Sequence, residues 1–267
     1  MSIHRPEQPT PDYVAPHGLL NDKVVVVTAA AGAGIGASVT RRVLEEGARA
    51  VVLSDTHERR VGEAQEALAA EFGVERVLAT TCDVTDESQV QAFLDLADTV
   101  GGVDVMINNA GLGGTVSIQE MTDEQWLKVI DITLTGTMRC IRAAGNRMIA
   151  AGKKGVLINN ASVIGWRAQE GQAHYAAAKA GVMAFTRCAA LDLAPHGIRV
   201  NAVSPSLAMH PFLAKVTSDE LLAELKQREA FGRAAEPWEI ANIMVFLASD
   251  YSSYLTGEVI SASSQHA

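Results

Sequence analysis

Cysteine is scarce in this chain of 267 residues: Cys82, Cys140 and Cys188 are the only three. An odd, widely spaced set in apolar or helical stretches speaks against a disulfide framework and against a metal site. It reads as reduced core thiols of a cytoplasmic protein. No apolar run approaches the roughly 18 residues of a membrane span, so no membrane partner is expected. The N-terminus lacks the apolar core of a signal peptide. Basic residues are in deficit, 22 Lys and Arg against 31 Asp and Glu, for a net charge of −9. That balance argues against a nucleic-acid partner, which needs a basic footprint. Proline is sparse outside the start, with four of the eight (Pro6, Pro9, Pro11, Pro16) in residues 1–20. This stretch reads as an extended arm lying outside the fold or across a neighbouring subunit.

Hydrophobic residues make up 48% of the chain, enough for a large core. Short β-branched runs recur at 23–28, 50–54, 76–81, 103–107, 155–160 and 198–203, with helix-compatible stretches between them. Continuous apolar strands alternating with helices predict a parallel sheet covered on both faces, an α/β fold. No linker divides residues 21–267, so they read as one domain. The segment at about 206–233 breaks the alternation after a strand end, where an open α/β sheet places a substrate lid.

The strongest chemical signal is Ser162 followed by Tyr175-Ala176-Ala177-Ala178-Lys179. Positions four apart share a helix face, so the phenol and the ammonium can meet in one cleft. A free phenol ionises near pH ~10, and a neighbouring cation favours the phenolate. A serine at a strand end can hydrogen-bond the same substrate oxygen. The set suits proton transfer at an alcohol or carbonyl. Alone, Tyr-x-x-x-Lys also fits an ordinary surface pair; the upstream residues add the weight.

A valine strand runs into Ala29-Ala30-Ala31-Gly32-Ala33-Gly34-Ile35-Gly36 and then into a helix. Glycines there admit a pyrophosphate to the helix N-terminus. Gly32, Gly34, Ile35 and Gly36 are therefore candidates for dinucleotide binding. Asp55, at the end of the second strand, suits ribose hydroxyls and repels a 2′-phosphate, which favours NAD over NADP. Arg59 and Arg60 follow it and read as solvated helix charges. Asp83 with Val84 suits adenine, and Asn109-Ala110-Gly111 suits the nicotinamide ribose.

Over roughly residues 21–260, these motifs and Asn201-Ala202-Val203-Ser204-Pro205 resemble the short-chain dehydrogenase/reductase family. The resemblance implies a doubly wound Rossmann-type domain with a seven-stranded parallel sheet, usually a homotetramer. It implies hydride exchange between a nicotinamide cofactor and an alcohol/ketone pair. Tyr175 would be the acid/base, Ser162 would orient the substrate oxygen, and Lys179 would hold the ribose and lower the tyrosine pKa. Pro205 would line the cofactor.

Four departures from the family pattern stand out. The turn's usual Thr-Gly is Ala29-Ala30, and Thr28 stands one residue too early to replace the lost hydroxyl. An asparagine of the catalytic set is Thr133. The Pro-Gly after the sixth strand is Pro205-Ser206, with His210 where a threonine often meets the nicotinamide. The tail ends Ser264-Gln265-His266-Ala267 instead of Asp-Gly-Gly.

The stretches 161–169 and 231–238 resemble a branch of actinobacterial dehydrogenases of steroid ring catabolism. That likeness implies a bicyclic, CoA-linked secondary alcohol as substrate. Trp166 would then pack a flat ring, Arg167 would meet a phosphate or carboxylate, and His210 would sit at the rim. Two alternatives stay open: an NADPH-dependent 3-oxoacyl-thioester reductase, and a cofactor-binding regulatory protein without catalysis.

Overall fold

The computed structural model describes residues 6–209 and 218–264. Its elements run β1 (Val24–Val27), α1 (Ile35–Glu45), β2 (Ala50–Asp55), α2 (Glu58–Phe72), β3 (Val77–Thr81), α3 (Glu87–Asp98), β4 (Val105–Asn108) and α4 (Asp123–Ile130). They continue with α5 (Gly136–Ala150), β5 (Val156–Asn160), α6 (Ala173–Leu193), β6 (Arg199–Pro205), α7 (Asp219–Arg228), α8 (Pro237–Ala248) and β7 (Val259–Ala262). The strands form one parallel sheet in the order β3-β2-β1-β4-β5-β6-β7. The chain winds outward from β1 in one direction and from β4 in the other. The crevice at their carboxyl ends is where such a sheet binds ligands.

Alternation along β1 splits the core between the two faces. Val25 and Val27 pack with Val39 and Val43 of α1 and with Ile240 and Met244 of α8. Val24 and Val26 pack with Phe93 and Leu94 of α3 and with Cys140 and Ala144 of α5. Among the described residues, no helix is long and apolar enough to cross a membrane.

Three expectations change. β7, a partly exposed edge strand of four residues paired with β6, was not among the apolar runs. Cys82 and Cys140 are buried, and burial pushes the Cys82 thiol up to about 12, but Cys188 is exposed and is no core thiol. The N-terminal arm, extended over residues 6–18, lies on this chain's own surface. Tyr13 meets Trp238 edge-on at 5.3 Å and donates to Glu45 at 2.5 Å. Gln8 donates its backbone N–H to the Phe231 carbonyl at 2.9 Å.

The anchor of the arm is Glu46, a fully buried carboxylate at the end of α1. It accepts from the backbone N–H groups of His17 (2.9 Å) and Leu19 (3.0 Å) and from Arg42 (2.6 Å). Burial raises its pKa, yet these donors outweigh burial and hold it below the usual carboxylate value. Glu46→Ala leaves the buried Arg42 guanidinium without its carboxylate and the N–H groups of His17 and Leu19 without their acceptor. The expected cost in a urea melt is about 3–5 kcal/mol. In the parent protein this contribution is present above the ordinary carboxylate pKa. It is lost as pH falls through the depressed value.

Candidate active site

Ser162 and Tyr175 reach one cleft from different elements. Ser162 closes the end of β5 and caps a short 3₁₀ turn, accepting from the Ile164 N–H at 3.3 Å. Tyr175 stands in the first turn of α6, and its phenol hydrogen-bonds Ser162. One helical turn later, Lys179 is buried, with its Nζ 5.6 Å from the Tyr175 ring centre. That ammonium donates to the Asn160 carbonyl at the end of β5. Gly111 closes the other side: a Cβ built there would lie 3.3 Å from Lys179 Nζ and 3.8 Å from Thr133 Oγ1.

Burial dominates the electrostatics. It raises the Tyr175 pKa above the ordinary phenol value, against the Ser162 hydrogen bond that lowers it. It brings Lys179 down to about 8. The Tyr-x-x-x-Lys spacing alone predicts a tyrosine pKa lowered by the lysine. Here desolvation of the phenol wins, and the ammonium is engaged by Asn160.

A cavity of about 330 Å³ opens over this set. Asn160, Ser162, Tyr175, Ile35 and Pro205 line it, and Val163, Ile164, Ala168, Leu207, Ala208 and Leu225 supply apolar wall. Arg167 lines it, whereas Trp166 does not and is 42% exposed. Gly165 explains the difference. It is pressed so close to α6 that a Cβ would lie 2.9 Å from the Ala180 nitrogen. The chain leaves the cavity wall there and returns at Arg167. His210 and the Gln265-His266 tail lie outside the described residues.

The dinucleotide candidates gather at the carboxyl edge of β1 to β4. α1 starts at Ile35 with no side-chain cap and no acidic residue in its first turn. Its first N–H groups therefore lack intrahelical partners and suit an anion. A Cβ on Gly32 would meet nothing within 4 Å, so the turn is open on that side. Gly36 is the opposite case: a Cβ would lie 2.3 Å from the Ala29 carbonyl oxygen and 2.5 Å from Asn109 Nδ2. Gly36→Ala is expected to displace the turn at about 1–3 kcal/mol and to weaken NADH binding more than tenfold by fluorescence titration. Asp83 holds the Thr85 N–H (2.9 Å) and hydroxyl (2.8 Å), and Val84 packs on Gly136.

Residues 29–264 match a family profile described as enoyl-(acyl carrier protein) reductase. The chain is 58% identical to a Mycobacterium tuberculosis protein over 96% of its own length and 97% of the relative's. That relative is named (5R,7aS)-5-hydroxy-7a-methyl-1-oxo-2,3,5,6,7,7a-hexahydro-1H-indene-carboxyl-CoA reductase. This chain is also 40% identical to cis-4-hydroxycyclohexanecarboxylate dehydrogenase of Sinomonas cyclohexanicum, over 90% of its own length and 94% of that relative's. A crystal structure of a short chain dehydrogenase from Mycobacterium smegmatis superposes with a TM-score of 0.86 at 52% identity. That match covers 97% of this chain and 99% of the other.

The chain belongs to the short-chain dehydrogenase/reductase family. It is an oxidoreductase of the CH–OH class, and membership implies a nicotinamide cofactor. The glycine turn fits the phosphates of that group.

Two of the departures from the family pattern resolve in the geometry. Thr28 was judged one residue too early. Its buried Oγ1 nevertheless accepts from the N–H groups of Asn109 and Ala110, each at 3.0 Å, and so ties β1 to the end of β4. Ala29 takes a positive φ of 50°, a conformation glycine would hold without strain. Thr133 sits in a π-helical turn, Asp131–Thr135, between α4 and α5. Its hydroxyl accepts from the Leu112 N–H at 3.0 Å and donates to the Leu112 carbonyl at 3.2 Å. It holds the loop just past Gly111.

Sequence reasoning missed an asparagine network. Asn108 donates to Asn159 (2.9 Å), Asn159 to Thr186 (2.9 Å), and Asn160 to Asn109 (2.9 Å). The signal available was the doubled Asn-Asn closing both β4 and β5. Arg60 also differs from its reading as a solvated charge. It donates to Asp55 at 3.0 Å, while Arg59 pairs with Glu63 on the exposed helix face.

Proposed function

We propose that this protein is an NAD-dependent dehydrogenase that interconverts a bulky cyclic secondary alcohol and its ketone, on a steroid-derived bicyclic substrate carried as a CoA thioester. The observation that carries the reading is the Ser162, Tyr175 and Lys179 set, with Ser162 and Lys179 buried, beside a mostly apolar cavity that Ser162 and Tyr175 line. The activities for which the mycobacterial and Sinomonas relatives are named, both on ring compounds, support the substrate class.

Tyr175 takes the hydroxyl proton, and Ser162 holds the same oxygen. Lys179 binds the cofactor ribose and supplies positive charge beside the phenol. Thr133 keeps the Leu112 loop in place. The nicotinamide ring, when bound, supplies the hydride acceptor. Gly32, Gly34, Ile35 and Gly36 hold the pyrophosphate, Asp83 and Val84 the adenine, and Asn109, Ala110, Gly111 and Pro205 the nicotinamide side. The same reading takes residues 21–267 as one catalytic domain, with a lid at about 206–233, in a cytoplasmic homotetramer.

NAD preference rests on Asp55, whose Oδ1 is held by Arg60 and the His57 N–H. Asp55→Ala removes a charged acceptor, which costs NAD turnover roughly tenfold or more. It also releases Arg60 toward a 2′-phosphate. The NAD/NADP ratio of kcat/KM is expected to shift more than tenfold toward NADP; an unchanged ratio removes Asp55 from cofactor selection.

The overall test is NADH formation from a hydroxy-methylhydroindane carboxyl-CoA beside a linear 3-hydroxyacyl-CoA. Fast turnover of the bicyclic thioester alone supports the reading. Turnover of the linear substrate alone favours a 3-oxoacyl-thioester reductase. NADH binding without turnover of any alcohol or ketone favours a regulatory protein.

A further inference from the structure

We infer that Arg167 and Arg228 form an oxyanion subsite in the catalytic cavity and make a negatively charged group part of what the enzyme recognises. The inference rests on that cavity being the substrate site. Arg167 and Arg228 are the only charged side chains among the described residues that line it. The lining thus carries two positive charges in a chain whose net charge is −9.

The two come from separate elements. Arg167 follows the 3₁₀ turn that starts at Ser162, so it shares a rigid segment with the catalytic serine. Arg228 is the last residue of α7 and lies one turn from Leu225, which lines the same cavity. Arg228 donates to Glu224 at 2.6 Å, with the two side chains 53% and 59% exposed. An exposed pair of this kind contributes little, so Glu224 opposes an incoming anion only weakly. Guanidinium is the side chain best matched to a carboxylate or phosphate, because its N–H groups present a planar fork. Ser162 and Tyr175 hold the reacting oxygen, the apolar wall covers the ring, and the arginines take the anion. A neutral alcohol of equal size uses only the first two.

The test uses the full-length enzyme and three substrates on one ring: cis-4-hydroxycyclohexanecarboxylate, its methyl ester and its CoA thioester. Arg167→Met and Arg228→Met keep the aliphatic stem and remove the charge. The readout is the ratio of kcat/KM for each anionic substrate to that for the neutral ester. Each variant is expected to lower a ratio by roughly 10–100-fold, carried by KM. A fall for the free acid identifies a carboxylate as the anion; a fall for the thioester alone identifies a CoA phosphate. Ratios that stay within threefold, or an ester that declines as steeply as the anions, overturn the subsite. Calorimetric titration of cyclohexanecarboxylate and of coenzyme A into the NADH-loaded protein reads the same site without turnover. Binding that disappears in the double variant supports it, and no binding of either anion by the parent protein overturns it. Intact anion binding with no turnover of any ring alcohol would sink the dehydrogenase reading and leave the subsite standing.

Discussion

Tyr175→Phe is expected to lower kcat by about 10²–10⁴-fold, the range that a positioned general base contributes. Affinity for NADH should change less than threefold. The substitution removes one hydroxyl and leaves the ring against Gly113, where a Cβ would lie 3.7 Å from it. Ser162 keeps its bond from the Ile164 N–H, so the cavity wall is preserved. Losing one hydrogen bond costs about 1 kcal/mol, which a urea melt separates from the catalytic effect. Burial holds the phenol above its ordinary pKa. In the oxidative direction the rate should therefore rise with pH as the base form appears. Retention of more than a tenth of parent turnover in Tyr175→Phe, with cofactor bound, would remove the tyrosine from proton transfer.

Lys179→Met is expected to reduce turnover by about 10²-fold or more, and its effect on stability should depend on pH. Burial lowers Lys179 from an ordinary 10.5 to about 8. The unfolded chain then binds the proton more tightly than the native state does. The charge is a cost to folding that is fully present below about 8 and relieved as pH rises toward 10.5, worth roughly 3 kcal/mol. Methionine carries no such penalty, although it leaves the Asn160 carbonyl without its donor. The stability of Lys179→Met relative to the parent should thus be highest near pH 7 and fall by a few kcal/mol toward pH 10. Parallel urea melts at the two pH values check the sign. A difference independent of pH would mean that Lys179 titrates alike in the native and unfolded chains. The design sacrifices stability at a site of chemistry, as a buried cation with one carbonyl partner does.

The sequence by itself determined the sheet's interior and singled out the candidate reacting groups. Strands buried on both faces must be apolar throughout, so β1, β2, β4, β5 and β6 announced themselves as continuous runs, and the β-branched run of the edge strand β3 was legible beside them. Four-residue spacing places Tyr175 and Lys179 one helical turn apart. Other features depended on contacts between residues distant in the chain, which periodicity does not carry. β7 is a partly exposed edge strand whose place follows from its pairing with β6. Thr28 does its work through a loop 81 residues away, and Thr133 through one 21 residues away. The π-helical turn that seats Thr133 has no signature in composition. The arm's direction was set by the Glu46 anchor and by Trp238. Trp166 and Arg167 are neighbours in sequence, and the close packing of Gly165 on α6 decided which of them lines the cavity. The direction of the Tyr175 pKa shift was likewise decided by tertiary structure, because desolvation is a property of the surroundings and not of the motif.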